Sequence, residues 1–479
     1  MTVVLFEDDH VSQLYPATVG RAAAMISCGG YTLFDLVCAL DSKPVVTVRP
    51  HLRELLRADG VLDEPAAGAR HLRAAPGEPL LLVNARLVPG VSVGSRVLQL
   101  RRAGRPGIVA NNGATAAVVL PPDAPPFPVD ARPAEVIGYL SLLQSAPLEA
   151  DLPLLQYPHD IIRYNLTTLP ENLEHRLQHG AYREVAEGVF AAEDAKLGQY
   201  CVSETSKGPV LLDRGASIGP YCFLRGPAYL GPQARVIEQA AIKDGVSLGH
   251  TTKIGGEVEG SVIEPYTNKQ HHGFLGHSYL GSWVNLGAGT CNSDLKNTYG
   301  QVNMDYNGRK TPSGMQFLGV MIGDYAKTAI NTGIFTGKTI GVCSMVYGFV
   351  TTNVPSFVNY ARSFGQVTEA PVDIMTATQA RMFARRNVTQ RPCDVQLMHD
   401  LYAARTANGR RAAVVVIGRT ERPHGGRNRS RRRRLVKPST AGYRRVFARC
   451  RFWPFPLHQP SRCLRARQVR AVVRAVSSE

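Results

Sequence analysis

The sequence predicts an N-terminal α/β domain, then a left-handed parallel β-helix of six-residue repeats, then a short helical segment. Three observations support this fold class. Apolar strand-like runs alternate with helical stretches before residue 170, aliphatic residues recur at every sixth position later on, and the period becomes helical near the end. The predicted divisions are 1–170 for the α/β domain, 171–205 for a connector, 206–358 for the β-helix, 359–409 for the helical segment and 410–479 for a basic tail.

The N-terminal region carries the signals of a layered α/β domain. The runs TVVLFED, EPLLLVNARLV and TAAVVLP are typical of buried strands, and PAEVIGYLSLL is typical of a helix. The connector contains YPHDIIRYNLTTLPENLEHRLQ, which predicts a further helix.

The β-helix is predicted from a period that neither an α-helix nor an isolated strand produces. Aliphatic residues keep a spacing of six at Leu212, Ile218, Leu224, Leu230, Val236, Ile242, Leu248 and Ile254. Four positions after each of the first seven stands a small or β-branched residue, namely Ala216, Cys222, Ala228, Ala234, Ala240, Val246 and Thr252. We expect the aliphatic side chain to point inward on each flat face and the small one to fill the corner, with a core formed by stacking of coils.

Two segments interrupt the period. The phase resumes at Phe274, Leu280 and Leu286, and again at Ile322, Ile334, Ile340 and Val346. Because Phe274 does not follow Ile254 by a multiple of six, the coil must bulge at EPYTNKQHH. A second excursion, TCNSDLKNTYGQVNMDYNGRKTPSG, loses the aliphatic pattern. Loops that leave a rigid scaffold commonly carry binding groups, so we expect a site here.

The positive charge lies outside the predicted domains. The chain has a formal net charge of +17, but 19 Arg and one Lys against two Glu put +18 into residues 410–479, which leaves −1 for residues 1–409. A neutral body disfavours a nucleic-acid-binding protein. We expect the tail to be disordered or an out-of-frame reading, with a nucleic-acid or membrane arm as the alternative.

Other composition signals exclude further classes. Nine scattered cysteines without a CxxC pair argue against structural zinc and suit free thiols in a cytoplasmic protein. No apolar run reaches 18 residues, and the N-terminus lacks the pattern of a signal peptide, so we expect no membrane association.

The segment HHGFLGHSYLGSWVNLGAGTCNSDLKNTYG resembles the acetyltransferase half of the bifunctional bacterial N-acetylglucosamine-1-phosphate uridylyltransferase/glucosamine-1-phosphate N-acetyltransferase. The runs KIGGEVEGSVIEPYTNKQHHGFLGHSYLG and LFEDDHVSQLYPATVGR look more like a divergent branch of sugar nucleotidyltransferases. The resemblance covers residues 1–400 and is stronger over 206–350 than over 1–170.

The resemblance implies a homotrimer, acetyl-CoA bound along the β-helix between subunits, and a sugar-phosphate substrate. The family's general base maps to His271, its substrate-binding Asn to Asn285 and a CoA-contacting Ala to Ala288. Further substrate contacts map to Lys296 and Arg225, while a substrate-binding Tyr is replaced by Phe274. Asn268 and Lys269, in the bulge, are added as substrate-binding candidates, with Lys269 a possible phosphate partner.

Acyl transfer to an amine itself requires a base that takes a proton near neutral pH, and His is the usual choice. His271 and His277 precede inward positions by three residues and should point outward, whereas His272 takes the small-residue slot. His272 and His277 are therefore alternative bases, and a further alternative is that all three histidines are polar surface groups. No metal site is expected, because no carboxylate is close in sequence.

The N-terminal domain departs from ordinary sugar nucleotidyltransferases, which carry a Gly-rich phosphate loop and a strand-end Asp for Mg²⁺. The counterpart YPATVGRAAAM offers Arg21 for phosphate, and the strand end offers Asn84 for nucleotide beside Arg86. A guanidinium repels a cation, so Mg²⁺ binding is doubtful. The two alternatives for the domain are nucleotide-sugar binding without pyrophosphorolysis and a degenerate scaffold.

We therefore expect an acyltransferase that uses acetyl-CoA to N-acetylate an amino-sugar 1-phosphate in nucleotide-sugar biosynthesis. It is coupled to a sugar-1-phosphate nucleotidyltransferase domain that is either active or degenerate. The alternative is a non-catalytic nucleotide-sugar-binding or scaffold protein. The His-, Asn- and Lys-rich bulge favours the enzyme.

Overall fold

A computed structural model describes residues 2–40, 43–63, 71–73, 78–143, 145–306 and 308–407. The predicted basic tail, 410–479, lies outside the described residues. Within them the predicted fold class is confirmed: an α/β domain is followed by a parallel β-helix and by helices at the end.

The N-terminal domain is built on a mixed five-stranded sheet of order β2-β1-β4-β6-β5, in which β1 pairs parallel with both neighbours and β6 pairs antiparallel. The strands of this domain are β1 Val3–Phe6, β2 Val45–Thr47, β3 His71–Leu72, β4 Leu80–Asn84, β5 Gly107–Asn111, β6 Ala114–Leu120 and β7 Phe127–Pro128. Both faces of β1 and β4 are buried, which explains their continuous apolar runs.

In the described ranges, seven α-helices surround the sheet, lead into the coils or follow them. They are α1 Leu33–Leu40, α2 Arg53–Ala58, α3 Val91–Ala103, α4 Pro133–Ser141, α5 Pro158–His179, α6 Val372–Ala384 and α7 Pro392–Ala407, with short 3₁₀ turns at Asp9–Leu14, Ala23–Met25, Pro50–Leu52 and Arg362–Phe364. Helix α5 starts at a proline, and Asp160 Oδ2 accepts hydrogen bonds from the backbone of Gln156 and Tyr157 at 2.9 Å each. It crosses the predicted boundary at residue 170 and leads into the first coil strand.

The β-helix has three faces of stacked parallel strands. The first face contains Tyr182–Ala186 (antiparallel to its neighbour), Val189–Ala192, Val210–Leu212, Ala228–Leu230, Val246–Leu248, Val262–Ile263, Tyr279–Leu280, Val320–Ile322 and Lys338–Ile340. The second contains Lys196–Leu197, Ser217–Ile218, Arg235–Val236, Lys253–Ile254, Asn268–Lys269, Lys327–Thr328, Met345–Val346, Val358–Ala361 and the antiparallel Gln366–Glu369. The third contains Val202–Glu204, Phe223–Arg225, Ala241–Ile242, Glu257–Glu259, Phe274–Gly276, Cys291–Asn292, Gly333–Ile334 and Phe349–Val350.

All eight aliphatic positions of the unbroken repeat and all seven small positions are buried, as predicted. The β-helix begins earlier than the predicted residue 206, because Val189 already pairs with Val210 on the next coil. Directly after the bulge the inward position differs from the prediction by one residue, whereas the later predicted positions Leu280, Leu286, Ile322, Ile334, Ile340 and Val346 are buried as predicted. Leu275 occupies the inward position opposite Val258, and Phe274 faces outward. The prediction of a bulge at EPYTNKQHH is therefore wrong in kind: the coil is shortened, since Ile254 pairs with Lys269, only 15 residues further on, instead of 18 as Val236 does with Ile254. The coils on either side of this irregularity are called the bulged coils below.

The second excursion forms a hairpin, Asn303–Tyr306 with Arg309–Pro312, that packs on the start of α5. The rings of Tyr306 and Tyr157 stack with centroids 5.4 Å apart, and Tyr306 Oη lies 2.8 Å from His159 Nδ1. The excursion is therefore held to the connector helix.

Helices α6 and α7 pack where the α/β domain meets the β-helix. Phe383 lies on Trp283 with ring centroids 4.4 Å apart, and Met398 and Leu401 join a core shared with both other parts. None of the helices in the described ranges combines the length and apolar character needed to cross a bilayer.

Candidate functional site

The structure brings a histidine and a carboxylate together at the bulged coils. His277 follows the strand Phe274–Gly276, and Asp294 stands one coil further along. His277 Nδ1 lies 2.8 Å from Asp294 Oδ2, with only 14% and 12% of the two side chains exposed. A carboxylate accepts hydrogen bonds, so Nδ1–H is the donor in this pair, and in the neutral imidazole Nε2 is then the acceptor.

Two glycines leave space for this pair. A Cβ on Gly260, whose φ is +55°, would lie 2.7 Å from His277 Cδ2 and 2.9 Å from Nε2. A Cβ on Gly276 would meet Asp294 Oδ2 at 2.2 Å. The ring of Phe317 covers the imidazole with centroids 5.5 Å apart. The His–Asp geometry therefore depends on this packing.

His271, the base implied by the family resemblance, lies exposed at the preceding corner of the same coil. Its backbone carbonyl accepts a hydrogen bond from Lys269, but its ring has no hydrogen-bond partner within the described residues. His272, also exposed, accepts a backbone hydrogen bond from Gly289 at 3.0 Å. Of the three histidines, His277 is the one held by a carboxylate.

Asn268, Asn285 and Ala288 do come together with that corner. Asn268 Nδ2 donates to Asn285 Oδ1 at 2.8 Å across adjacent coils. Ala288 precedes the glycine that stacks on His272, and its carbonyl accepts from the backbone of Asn331 at 2.7 Å. These three predicted residues therefore share two successive coils with His271.

Lys269 is placed differently from the sequence prediction. It occupies an inward position and is 2% exposed. Its Nζ donates to the carbonyls of Gly255 at 2.7 Å and His271 at 2.9 Å. Burial lowers the pKa of this ammonium to about 8. Because the side chain lies inside the coil, Lys269 holds the corner from within and does not present its charge to a substrate.

Arg225 and Lys296 lie apart from this corner. Arg225 stands on the third face, three strand spacings from Gly276, or ~14 Å. Its guanidinium pairs with Glu204 at 2.8 Å and approaches Asp244 at 3.9 Å. Lys296 follows Asp294 by two residues at the start of the excursion and forms no ion pair within the described residues.

Arg21 lines a cleft of about 1040 Å³ between the α/β domain, the β-helix and the last helices. Its Nη2 donates to Ser282 at 2.6 Å and Asp324 at 3.1 Å, and Nη1 lies 3.6 Å from Glu264. The charge that the sequence assigns to phosphate is therefore shared with two carboxylates of the β-helix.

Asn84 and Arg86 form a buried network with Asp8, which sequence reasoning missed. Arg86, fully buried, binds both Asp8 oxygens, at 2.8 and 2.6 Å, and the carbonyl of Leu155. Asn84 Nδ2 donates to Asp8 at 2.8 Å. The carboxylate of Asp8, beside the strand end where Mg²⁺ would bind, is thus saturated by a guanidinium and an amide, and these residues do not fit the metal.

Asp294 is the other residue that sequence reasoning missed. It was part of the Asn-rich excursion, and no carboxylate is adjacent to the histidines in sequence. The coil length could have identified Asp294, because residues 17 positions apart in this part of the chain lie on adjacent coils, as Glu257 and Phe274 do.

Comparison with known proteins supports the resemblance. Residues 3–179 match the family described as sugar nucleotidyl transferase. A bifunctional sugar-1-phosphate nucleotidylyltransferase/acetyltransferase of Sulfurisphaera tokodaii is 30% identical over 159 residues, which cover 31% of this chain and 37% of that protein. The bifunctional protein GlmU of Cupriavidus taiwanensis is 30% identical over 193 residues, covering 37% and 41%.

These matches confirm the similarity to bifunctional nucleotidyltransferase/acetyltransferase proteins, and each spans less than half of the relative's length. Among solved structures, the UDP-N-acetylglucosamine acyltransferase of Francisella novicida matches with a TM-score of 0.29 and 16% identity, over 43% of this chain and 72% of that chain.

Proposed function

We propose that the chain is an acyltransferase that acetylates an amino-sugar phosphate at the bulged coils of the β-helix, with acetyl-CoA as donor. The observation that carries the proposal is the pair of His277 and Asp294, a partly buried imidazole oriented by a carboxylate. An oriented base of this kind is what nucleophilic attack by a weak nucleophile requires. The similarity to bifunctional acetyltransferases supports the reaction class.

In the proposed reaction, the amine nitrogen of the sugar attacks the thioester carbonyl and forms the N–C bond. His277 Nε2 accepts the proton released from nitrogen, while Asp294 holds Nδ1–H and stabilises the imidazolium. The C–S bond then breaks, and the sulfur of CoA takes the proton held on His277 Nε2 and leaves as the free thiol, which returns the imidazole to its neutral form. Neither step needs a metal ion.

His271 keeps the role that the resemblance implies as the competing candidate for this base. It lies three residues before the same third-face strand, but its exposed ring has no orienting partner in the described part of the chain. Asn268 and Asn285, linked on the adjoining face, are the proposed substrate-positioning amides.

The α/β domain is proposed to bind or dock and not to catalyse efficient nucleotidyl transfer. The carboxylates at the end of its first strand are already neutralised, Glu7 by Arg49 and Asp8 by Arg86. These buried pairs leave neither a free carboxylate for Mg²⁺ nor a free guanidinium for a triphosphate at that strand end.

Incubation of the full chain with acetyl-CoA and glucosamine 1-phosphate, with free thiol measured by a disulfide reagent, tests the proposal. We expect thiol release that depends on the sugar and disappears in His277→Ala. A panel of other amino-sugar phosphates and nucleotide-linked amino sugars identifies the acceptor. Absence of sugar-dependent thiol release across the panel would favour the alternative, a nucleotide-sugar-binding scaffold.

A further inference from the structure

Four cations gather at the second face of the β-helix, and none of them has a carboxylate partner in the described part of the chain. Arg235 and Lys253 are direct register partners on adjacent coils. Arg385 and Arg386, which follow α6, lie near enough to Lys253 that, besides burial, their charges lower its pKa, as that of Arg235 does. We call these four residues the cationic patch.

Helix α6 is fixed beside this face by aromatic packing. Phe383 near its end lies on Trp283, whose ring stacks on Tyr266 with centroids 4.3 Å apart and planes at 3°. Tyr266 and Trp283 lie at the corner where the second face starts. Because Phe383 packs there, the following residues Arg385 and Arg386 lie beside the second face, although they are distant from it in sequence.

Like charges placed next to each other destabilise a sheet, and folded proteins usually place carboxylates among them. Other arginines in the described ranges follow that rule, as Arg49 with Glu7 and Arg391 with Asp394 show. Within the described residues, none of the four patch side chains forms an ion pair or a side-chain hydrogen bond. Burial and the neighbouring guanidinium groups lower the pKa of Lys253, and burial and Arg385 lower the pKa of Arg386.

The patch continues in register toward the candidate site. Lys253 pairs with Asn268, and Asn268 bridges to Asn285, so the row runs from two cations to two amides. Three residues after Asn268 comes His271, at the corner that leads to the third face. With neighbouring strands ~4.8 Å apart, Lys253 stands one strand spacing from Asn268.

We propose that the cationic patch binds a phosphate or diphosphate group of a substrate that reaches the corner of the bulged coils. Guanidinium forks and an ammonium together match the oxygens of a phosphoryl group, and the bound anion would relieve the repulsion that the fold otherwise retains. This inference rests on the proposed function for the identity of the site, but the binding itself does not require turnover. The phosphoryl group belongs either to the sugar acceptor or to the acyl donor.

Isothermal titration of the full chain separates these sources. The probes are inorganic pyrophosphate for the shared chemistry, UDP for a nucleotide-linked acceptor, glucosamine 1-phosphate for a simple acceptor, and adenosine 3′,5′-bisphosphate for the donor. Lys253→Met and Arg386→Met should each weaken binding of the cognate probe roughly tenfold. Loss with the bisphosphate assigns the patch to the donor, and loss with UDP or the sugar phosphate assigns it to the acceptor.

Lys196→Met is the matched control. Lys196 lies on the same row of the second face, two strand spacings from Arg235, and is exposed. The basic tail is common to all variants, so its contribution cancels. Lys253→Arg, which keeps the charge, should retain binding.

Because Lys253→Met relieves repulsion, it should melt at or above the temperature of the native chain, so weaker binding cannot come from unfolding. Unchanged affinities in Lys253→Met and Arg386→Met, or an equal loss in Lys196→Met, would overturn the proposal. If the native chain transfers no acyl group but the patch variants still bind the probe more weakly, the proposed reaction is rejected and the phosphate-binding site is retained.

Discussion

Removing one partner of the His277–Asp294 pair should reveal which histidine acts as the base. Loss of a positioned general base typically costs 10²–10⁴-fold, so His277→Ala should lower kcat by roughly that factor. The affinity for acetyl-CoA should change little, because the imidazole receives the proton of the amine.

Asp294→Asn gives a second, independent magnitude. The hydrogen bond of 2.8 Å joins two side chains that are nearly buried, so it belongs to the stronger, charge-assisted kind. Such a bond contributes about 1.5–3 kcal/mol, which corresponds to roughly 10- to 150-fold in kcat. An amide can also donate to Nδ1, which would place the imidazole proton on Nε2 and block its role as acceptor.

The assay is sugar-dependent thiol release at saturating acetyl-CoA, with thermal melting as a check on folding. His271→Ala is the internal comparison, since it lies on the same coil but has no orienting carboxylate in the described chain. Loss of thiol release in His271→Ala together with normal thiol release in His277→Ala would refute the role of the His277–Asp294 pair and support His271, the base that the family resemblance implies. If both variants stay active, the base lies elsewhere.

The remaining predictions concern packing, charge and assembly. Gly260→Ala should displace the imidazole of His277 and reduce kcat roughly 10²-fold, whereas Gly113→Ala, also at positive φ but with open space around it, should not. Since burial lowers the pKa of Lys269 from 10.5 to about 8, the unfolded chain binds the extra proton between these values. The free energy of unfolding should therefore rise by about 3 kcal/mol over that pH range relative to Lys269→Met, as denaturant titrations would show. Arg86→Ala should destabilise the α/β domain by roughly 3–5 kcal/mol in urea titrations, because its carboxylate partner Asp8 stays buried and unpaired. In the native chain, Mg²⁺-dependent release of pyrophosphate from UTP and a sugar 1-phosphate should be weak or absent. Sedimentation should find a trimer, and a stable monomer at micromolar concentration would contradict this.

The architecture was predictable because its signal is periodic and local. An aliphatic residue at every sixth position predicts a β-helix, and every residue of the unbroken run is buried as this period predicts. The strands β1 and β4 were equally clear, since both of their faces are buried and their sequences are continuously apolar.

The site was less predictable because the bulge changes the coil length. A coil of 15 residues between Ile254 and Lys269 puts a lysine where an aliphatic residue is expected, and it moves Phe274 from the inside to the outside. Because the phase is broken between Lys269 and Phe274, the sequence does not tell which histidine of this segment meets which later side chain. The partner of His277 was therefore hidden, although it lies only one coil away.

The α/β domain shows how charge can be reassigned without changing the fold. Arg21 occupies the segment that the resemblance assigns to phosphate binding, yet its guanidinium is committed to Asp324 and Glu264 on the β-helix. A triphosphate at Arg21 would have to compete with these carboxylates, whose release would leave two charges in a largely buried cleft. The pairing is instead well suited to hold the α/β domain against the β-helix. On this argument, exchanging Arg21 for Met would loosen the contact between the two parts before it affected any chemistry at the bulged coils.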